Sequence, residues 1–360
     1  MCKTSRILAV GLLVGLLFVS PIRAADSTLL PRKSGHGKDE SYPGVTVLYD
    51  AIRDAAGRRL RLITTHPVDL KARLPTIFVV GWLSCDTIEA PPGTVDGSQR
   101  MLQALVQTPG FATVRLEKPG VGDSDGDCAH TDFTAELAAY RLAFRYLMSY
   151  RFVDPQRLFL FGMSNGGGFA PLVAEGTPIR GYMVDGGWIK TWFEHMLEIE
   201  RRRLVLTGQP PSQINPLMSS VARLYDAYLL KKQSPREIFQ AHPELKTLWD
   251  GAPDQQYGRP TTYFQQLQDL NLMAAWSSVQ SPVLALHGEY DWIMSRGDFE
   301  ILVDLVNRNR ARSAEFVELP QTGHTFEHYA SQEDAFAGKQ LPFDQSIVQR
   351  VRDFLMRHQN

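Results

Sequence analysis

The sequence predicts an α/β protein in which helices flank a mostly parallel central sheet and a helical insertion interrupts the second half. Three observations support this fold class. Apolar runs typical of strands buried on both faces recur along the chain, amphipathic helical patterns separate them, and the alternation stops for about 90 residues, too many for a loop. The chain has 360 residues and a formal net charge of −1 at pH 7, so its charge gives no reason to expect nucleic acid or an anionic membrane as a partner.

The first 24 residues have the pattern of a secretory signal peptide. Lys3 and Arg6 precede an apolar run over residues 7–19, and small residues follow at Ala24 and Ala25. The run is shorter than the ~20 residues that span a bilayer. We therefore expect a secreted or periplasmic protein without a stable membrane span after removal of residues 1–24; the alternative is an uncleaved N-terminal anchor. Residues 25–44 are polar and rich in Gly and Pro, which predicts a flexible segment.

The predicted export bears on whether the cysteines are paired. Cys2 lies in the predicted signal peptide, which leaves Cys85 and Cys128. An even pair in an oxidising compartment favours one disulfide. Two buried free thiols are the alternative.

The strands of the core are predicted in order along the chain. Residues 45–49 and 59–65 alternate apolar and polar side chains around a turn at 54–57, which predicts a β-hairpin. Six apolar runs then indicate the strands of the sheet: residues 76–80, 112–116, 158–161, 181–184, 283–286 and 316–319.

Helical patterns fill the intervals between these strands. One apolar face starts at Phe133 and recurs to Leu147, with Thr131 or Asp132 as its N-cap, and another covers residues 343–354. Residues 190–278 form the insertion. They contain no clear strand and four helix-like segments, at 192–206, 216–230, 234–242 and 262–276. The insertion divides the predicted core into residues 45–189 and 279–360.

A candidate nucleophile follows the third of the six runs. Residues 162–166 read Gly-Met-Ser-Asn-Gly, a G-x-S-x-G motif, and the small residues after it can open a helix. Strand, sharp turn and helix are the context that a nucleophile elbow needs, with Ser164 exposed above the sheet. A serine hydroxyl also needs a base and an acid that orients the base.

Candidates for both follow later strands. Asp291 comes just after the run at 283–286, and His324 just after the run at 316–319. Ser164, Asp291 and His324 therefore each lie at the carboxyl end of a different strand, which is the edge where ligands bind in open α/β sheets.

With these motifs, residues 45–360 resemble the α/β-hydrolase superfamily, and in particular its esterase-like or lipase-like serine hydrolases. The resemblance implies a Ser-Asp-His triad in that chain order, a cap domain between the sixth and seventh strands, and no cofactor. Residues 117–124 resemble the loop after strand four, with Glu117 in place of the usual Asp, and Gly81-Trp82 resembles the oxyanion loop, with Val80 where His is usual.

The resemblance also places the oxyanion donors and the cysteines. One donor is the N–H of Trp82 or Leu83, and the second is the N–H of Asn165. Cys85 lies in the oxyanion loop and Cys128 beyond the loop after strand four, so a bridge between them lies at the catalytic edge.

Other residues compete for the same roles. Asp185 follows the preceding strand, where some relatives carry the acid, and Glu289 is a second alternative to Asp291. His287 is more typical of a packed, hydrogen-bonded histidine than of the base. His324-Thr325-Phe326-Glu327-His328 also spells the inverted zinc-peptidase motif H-x-x-E-H.

The sequence thus predicts a serine hydrolase that cleaves a small-molecule carboxylic ester with an apolar acyl part. The alternatives are a prolyl-oligopeptidase-like peptidase and a non-catalytic binding protein of the same fold. Most aromatic residues at or in the insertion are expected to form the core of the cap, and a few to line an acyl pocket: Trp188, Trp192, Phe193, Tyr225, Tyr228, Trp249, Tyr263 and Trp276.

Overall fold

The computed structural model describes Leu30 and residues 40–360. The predicted signal peptide and most of the predicted flexible segment, 25–44, lie outside these residues. Where that segment is described, Leu30, Glu40 and Tyr42 are buried. The Glu40 carboxylate accepts two hydrogen bonds from the buried Arg115 guanidinium, at 2.7 and 2.6 Å. The end of the segment is therefore packed against the core.

The predicted β-hairpin is confirmed. Strands β1 (Val45–Arg53) and β2 (Arg59–Pro67) pair antiparallel, with Arg53 opposite Arg59. Asp54 Oδ1 accepts the N–H groups of Ala56 and Arg58, which closes the turn.

Eight strands form the main sheet of the described chain, in the order β1-β2-β4-β3-β5-β6-β9-β10. β2 is antiparallel to β1 and β4, and the others pair in parallel. All six predicted runs lie in its strands: β3 (Leu74–Val80), β4 (Ala112–Leu116), β5 (Val153–Met163), β6 (Gly181–Asp185), β9 (Val283–Gly288) and β10 (Ala314–Leu319).

Helices cover both faces of this sheet, and the fold class is confirmed. Apolar residues of α1 (Gly97–Val106) and α11 (Gln345–His358) pack on one face. Those of α2 (Phe133–Leu147), α3 (Asn165–Val173) and α9 (Arg296–Asn309) pack on the other. Asp132 caps α2, because its Oδ1 accepts the N–H of Ala135 at 2.9 Å. The short α10 (Gln332–Phe336) precedes α11.

Between β6 and β9 the chain is largely helical, as the sequence predicts for residues 190–278. Its elements are α4 (Trp192–Leu206), α5 (Pro211–Tyr225), a π turn (Asp226–Leu230), α6 (Pro235–Ala241), a 3₁₀ turn (Pro243–Leu248), α7 (Thr261–Gln268) and α8 (Leu272–Ser277). The expectation of no strand there is wrong, since β7 (Gln255–Gln256) and β8 (Arg259–Pro260) form an antiparallel ribbon. Strands of two residues are too short to leave an alternating pattern.

None of the helices in the described part of the chain is long and apolar enough to cross a bilayer.

Candidate active site

Ser164 lies on a sharp turn between β5 and α3. Its backbone has φ 54° and ψ −127°, a region that L-residues rarely adopt, and its N–H donates to Asp185 O at 2.7 Å. The two glycines of the motif leave space for this turn. A Cβ on Gly162 would lie 2.6 Å from Gly167 Cα, and one on Gly166 would lie 2.3 Å from Val80 O. The sequence therefore folds here into the tight strand-turn-helix that the motif predicts.

The structure brings the three predicted catalytic residues into one hydrogen-bonded chain. Ser164 Oγ lies 2.8 Å from His324 Nε2, and His324 Nδ1 lies 2.8 Å from Asp291 Oδ2. An ionised carboxylate only accepts, so Nδ1–H donates to Asp291 and Nε2 is left to accept the serine proton. The other oxygen of Asp291 accepts the N–H groups of Ile293 and Met294, at 2.8 and 2.9 Å.

These contacts set the charges of the pair. Burial raises the pKa of Asp291, but the charge and hydrogen bond of His324 outweigh it, so the net pKa lies below its usual value. Burial lowers the pKa of His324, yet the charge and hydrogen bond of Asp291 bring it above the usual value. The carboxylate therefore stays ionised, and an imidazolium next to it is stabilised.

Neither competing acid shares a hydrogen bond with His324, whose ring nitrogens bond to Ser164 and Asp291. Asp185 is buried at the end of β6, and burial, together with the charges of Asp291 and Glu327, raises its pKa well above the usual range. Glu289 is engaged at another point, where its Oε2 accepts the N–H of Gln321 at 2.8 Å.

His287 is a packed histidine, as expected. Its ring lies 5.2 Å from that of Phe299 and 6.5 Å from that of Phe316. Its Nδ1 lies 4.0 Å from Glu318 Oε1, and the hydrogen bonds that join Ser164, His324 and Asp291 do not include it.

The H-x-x-E-H residues do not form a metal-ligand cluster. Both ring nitrogens of His324 contact Ser164 and Asp291, while Glu327 accepts the N–H of Gly97 at 3.2 Å. Over the part of the chain that the structure describes, no three His, Cys, Asp or Glu side chains are grouped so as to hold a metal ion.

The predicted oxyanion residues line the same cavity as the catalytic serine and histidine. Trp82, Leu83 and Asn165 line a cavity of about 810 Å³ together with Ser164 and His324. The structure also joins Cys85 to Cys128 in the predicted disulfide, two residues beyond Leu83.

Five tryptophan and tyrosine residues line the cavity, together with polar and charged ones. Of the aromatics predicted to lie in the cap, Trp192 and Trp249 line the cavity. Trp188, Tyr225, Tyr228, Tyr263 and Trp276 are buried instead. Trp82, which the sequence predicted only as an oxyanion residue, also lines it, as do two aromatics that the sequence did not single out, Tyr257 and Trp292.

Sequence reasoning missed the residues that hold the oxyanion loop. Lys118 Nζ donates to Trp82 O at 2.6 Å and to Leu83 O at 3.0 Å, and it lies 3.8 Å from Glu136. One signal was available, because Glu136 lies three residues after Phe133 and so falls on the apolar face of its helix. Burial lowers the pKa of Lys118 to about 7, which Glu136 opposes.

Comparisons with known proteins identify the family of the chain. Residues 77–339, more than half of the chain, match the model of the alpha/beta hydrolase family. A comparison with curated proteins finds no match.

Solved structures share the fold at low sequence identity. The Butyrivibrio proteoclasticus protein Est1E with bound ferulic acid is 16% identical, with a TM-score of 0.55 over 86% of this chain and 98% of that chain. An esterase from Pyrococcus furiosus is 11% identical, with a TM-score of 0.54 over 91% and 98% of the two chains. Carboxyl esterase 2 from Tuber melanosporum is 14% identical, with a TM-score of 0.54 over 91% and 90%. With the family match over residues 77–339 and this architecture, the chain belongs to the alpha/beta hydrolase family.

Proposed function

We propose that this protein is a serine hydrolase that cleaves carboxylic esters through Ser164, His324 and Asp291. The observation that carries the proposal is the chain of two 2.8 Å hydrogen bonds from Asp291 to His324 and from His324 to Ser164 Oγ. Ser164 and His324 line a cavity large enough for an organic substrate.

In the proposed reaction, His324 Nε2 takes the proton of Ser164 as Oγ attacks the acyl carbonyl. Asp291 holds the Nδ1–H tautomer and stabilises the imidazolium. The N–H groups of Asn165 and of Trp82 or Leu83 bind the oxyanion. His324 then gives its proton to the leaving alcohol. In the second half of the reaction, water attacks the acyl group, and His324 takes the proton of that water and returns it to Ser164 Oγ as the acid product leaves.

The cavity wall favours an ester with an apolar, bulky part. Four tryptophans and one tyrosine line the cavity that Ser164 also lines, and their rings bind apolar or aromatic groups. The structural neighbours that are named esterases, and one that binds ferulic acid, support the same substrate class. We propose export to the periplasm or the exterior, which the predicted signal peptide and the Cys85–Cys128 disulfide both favour.

The test combines labelling with a substrate series. We expect a fluorophosphonate to label the native protein, and chromogenic esters of rising acyl length to be hydrolysed faster than peptide anilides. Ser164→Ala should keep the thermal unfolding of the wild type and lose kcat by on the order of 10⁴–10⁶-fold. Near-normal hydrolysis by folded Ser164→Ala would overturn the nucleophile, and faster cleavage of the anilides would favour a peptidase.

A further inference from the structure

A series of buried hydrogen bonds between side chains begins at Asn165, the residue after the nucleophile. Asn165 Nδ2 donates to Tyr263 Oη at 2.9 Å, and Asn165 Oδ1 accepts the indole N–H of Trp188 at 2.9 Å. Tyr263 Oη in turn donates to Glu136 Oε1 at 3.1 Å. Asn165, Tyr263 and Glu136 are all 1% exposed or less, so water does not compete for these bonds.

The other end of this series holds the oxyanion loop. Lys118 Nζ lies 3.8 Å from Glu136 Oε2 and donates to the carbonyls of Trp82 and Leu83. The Trp82 carbonyl and the Leu83 N–H belong to one planar peptide unit. By holding that carbonyl, Lys118 also fixes the direction in which the Leu83 N–H points.

A residue of the helical insertion completes the series. Arg259, on β8, donates from Nη2 to Glu136 and from Nη1 to Leu83 O at 3.3 Å. Its guanidinium lies 4.1 Å from the centre of the Tyr263 ring. Tyr263 lies in the first turn of α7 in the same insertion, so the insertion supplies two of the side chains that reach the oxyanion residues.

Stability alone gives a weak reason for this arrangement. Burying an ion costs several kcal/mol, and apolar residues of similar volume often replace buried ion pairs without loss of stability. Here three ionisable side chains and a phenol converge on the two segments that carry the predicted oxyanion donors.

We propose that Lys118, Glu136, Arg259 and Tyr263 are positioning residues that set the spacing of the two oxyanion donors. We call them the Glu136 network. The inference rests on the proposed function, since the donors matter only if an oxyanion forms at Ser164. Their role is in the transition state, where the oxyanion carries the charge that the ground-state carbonyl lacks.

The test removes one hydroxyl from the Glu136 network. Tyr263→Phe keeps the ring but breaks the link between Asn165 and Glu136. We expect kcat to fall on the order of 10-fold with KM changed by less than about 3-fold, a smaller loss than the 10²–10³-fold caused by removing a donor. The affinity for a boronic acid, which forms a tetrahedral adduct on the serine, should fall in parallel with kcat.

A second variant and a matched control separate positioning from general packing. Lys118→Met should lower kcat in the same way, and the losses in the double variant should not multiply, because both changes break the same series. Tyr150→Phe is the control: its hydroxyl lies 2.6 Å from Asp50 Oδ2, on the β1–β2 side of the sheet, and its loss should leave kcat within about 2-fold.

The outcomes distinguish the two proposals. Wild-type protein that neither hydrolyses esters nor binds the boronic acid overturns both. Active wild-type protein with an unchanged kcat in folded Tyr263→Phe and Lys118→Met overturns the positioning role alone. So does a loss that appears only as thermal instability, of the size that Tyr150→Phe also shows.

Discussion

The catalytic side chains and the oxyanion loop face one cavity, but the chain holds them in different ways. Ser164, Asp291 and His324 each follow a strand and hydrogen-bond to one another. The loop at Trp82 and Leu83 also follows a strand, yet it is held by side chains from distant parts of the sequence. The reacting side chains are thus placed by the sheet, whereas the backbone donors depend on long-range contacts.

The placement of the catalytic side chains is tested most strongly by comparing substitutions of the two candidate acids. Asp291→Asn should cost about 10⁴-fold in kcat, because an amide no longer selects the Nδ1–H tautomer of His324. Asp185→Asn should cost far less. Burial and the charge of Asp291 raise the pKa of Asp185 well above its usual range, which favours the neutral carboxyl, and an amide closely matches that group in shape.

Hydrolysis of one chromogenic ester by the two variants decides this prediction, with thermal unfolding as the check that both are folded. A larger loss in Asp185→Asn would move the acid to the end of β6.

The comparison also explains what the sequence could predict. Apolar runs and the spacing from Phe133 to Leu147 gave the main strands and α2, because these patterns record burial directly. The ribbon β7–β8 was missed because two-residue strands leave no periodicity. The helix predicted from Pro216 begins at Pro211, since proline is also compatible with the first turn of a helix.

In the site, too, the features with a local sequence pattern could be predicted and those without one could not. Each triad residue follows an apolar run, so its position could be inferred locally. The partners of Lys118 could not: Glu136 is 18 residues away and Trp82 is 36 residues away in sequence, and only the tertiary fold brings them together. A charged residue on the apolar face of α2 was the single local sign of the Glu136 network.

The pH dependence tests the coupling within the triad. His324 must be neutral to accept the proton of Ser164, so kcat/KM should fall as the pH falls through the pKa of His324. Burial alone would lower that pKa, but the Asp291 carboxylate raises it above the usual 6.5. We therefore expect the acid limb of the profile to have its midpoint above pH 6.5.

Asp185→Asn is the control for this profile and should leave the midpoint in place, since the ring nitrogens of His324 bond to Ser164 and Asp291 and not to Asp185. A midpoint below pH 6.5 in the wild type would show that burial outweighs Asp291, against the charge balance inferred for the pair.

The disulfide tests the second half of the comparison and has the smallest expected effect on rate. It joins Cys85 to Cys128, 43 residues apart, so its loss should lower the free energy of unfolding by up to ~4 kcal/mol on the loop-entropy account. Lys118 Nζ donates to Trp82 O and Leu83 O without contacting the bridge, whereas Arg259 Nη1 donates both to Leu83 O and to Cys128 Sγ, at 3.3 and 3.2 Å. A serine hydroxyl at position 128 can accept the second of these Arg259 hydrogen bonds. We therefore expect Cys128→Ser to lose stability in denaturant unfolding, while its kcat falls by less than the kcat of Tyr263→Phe does.

Cys85→Ser is the matched variant and should show the same losses of stability and of kcat. Exported wild-type protein should show no free thiol when it is denatured without reductant. Two reactive thiols would show that no bridge forms and that packing alone holds the loop. A kcat loss larger than that of Tyr263→Phe would assign the loop to the bridge rather than to the buried charges.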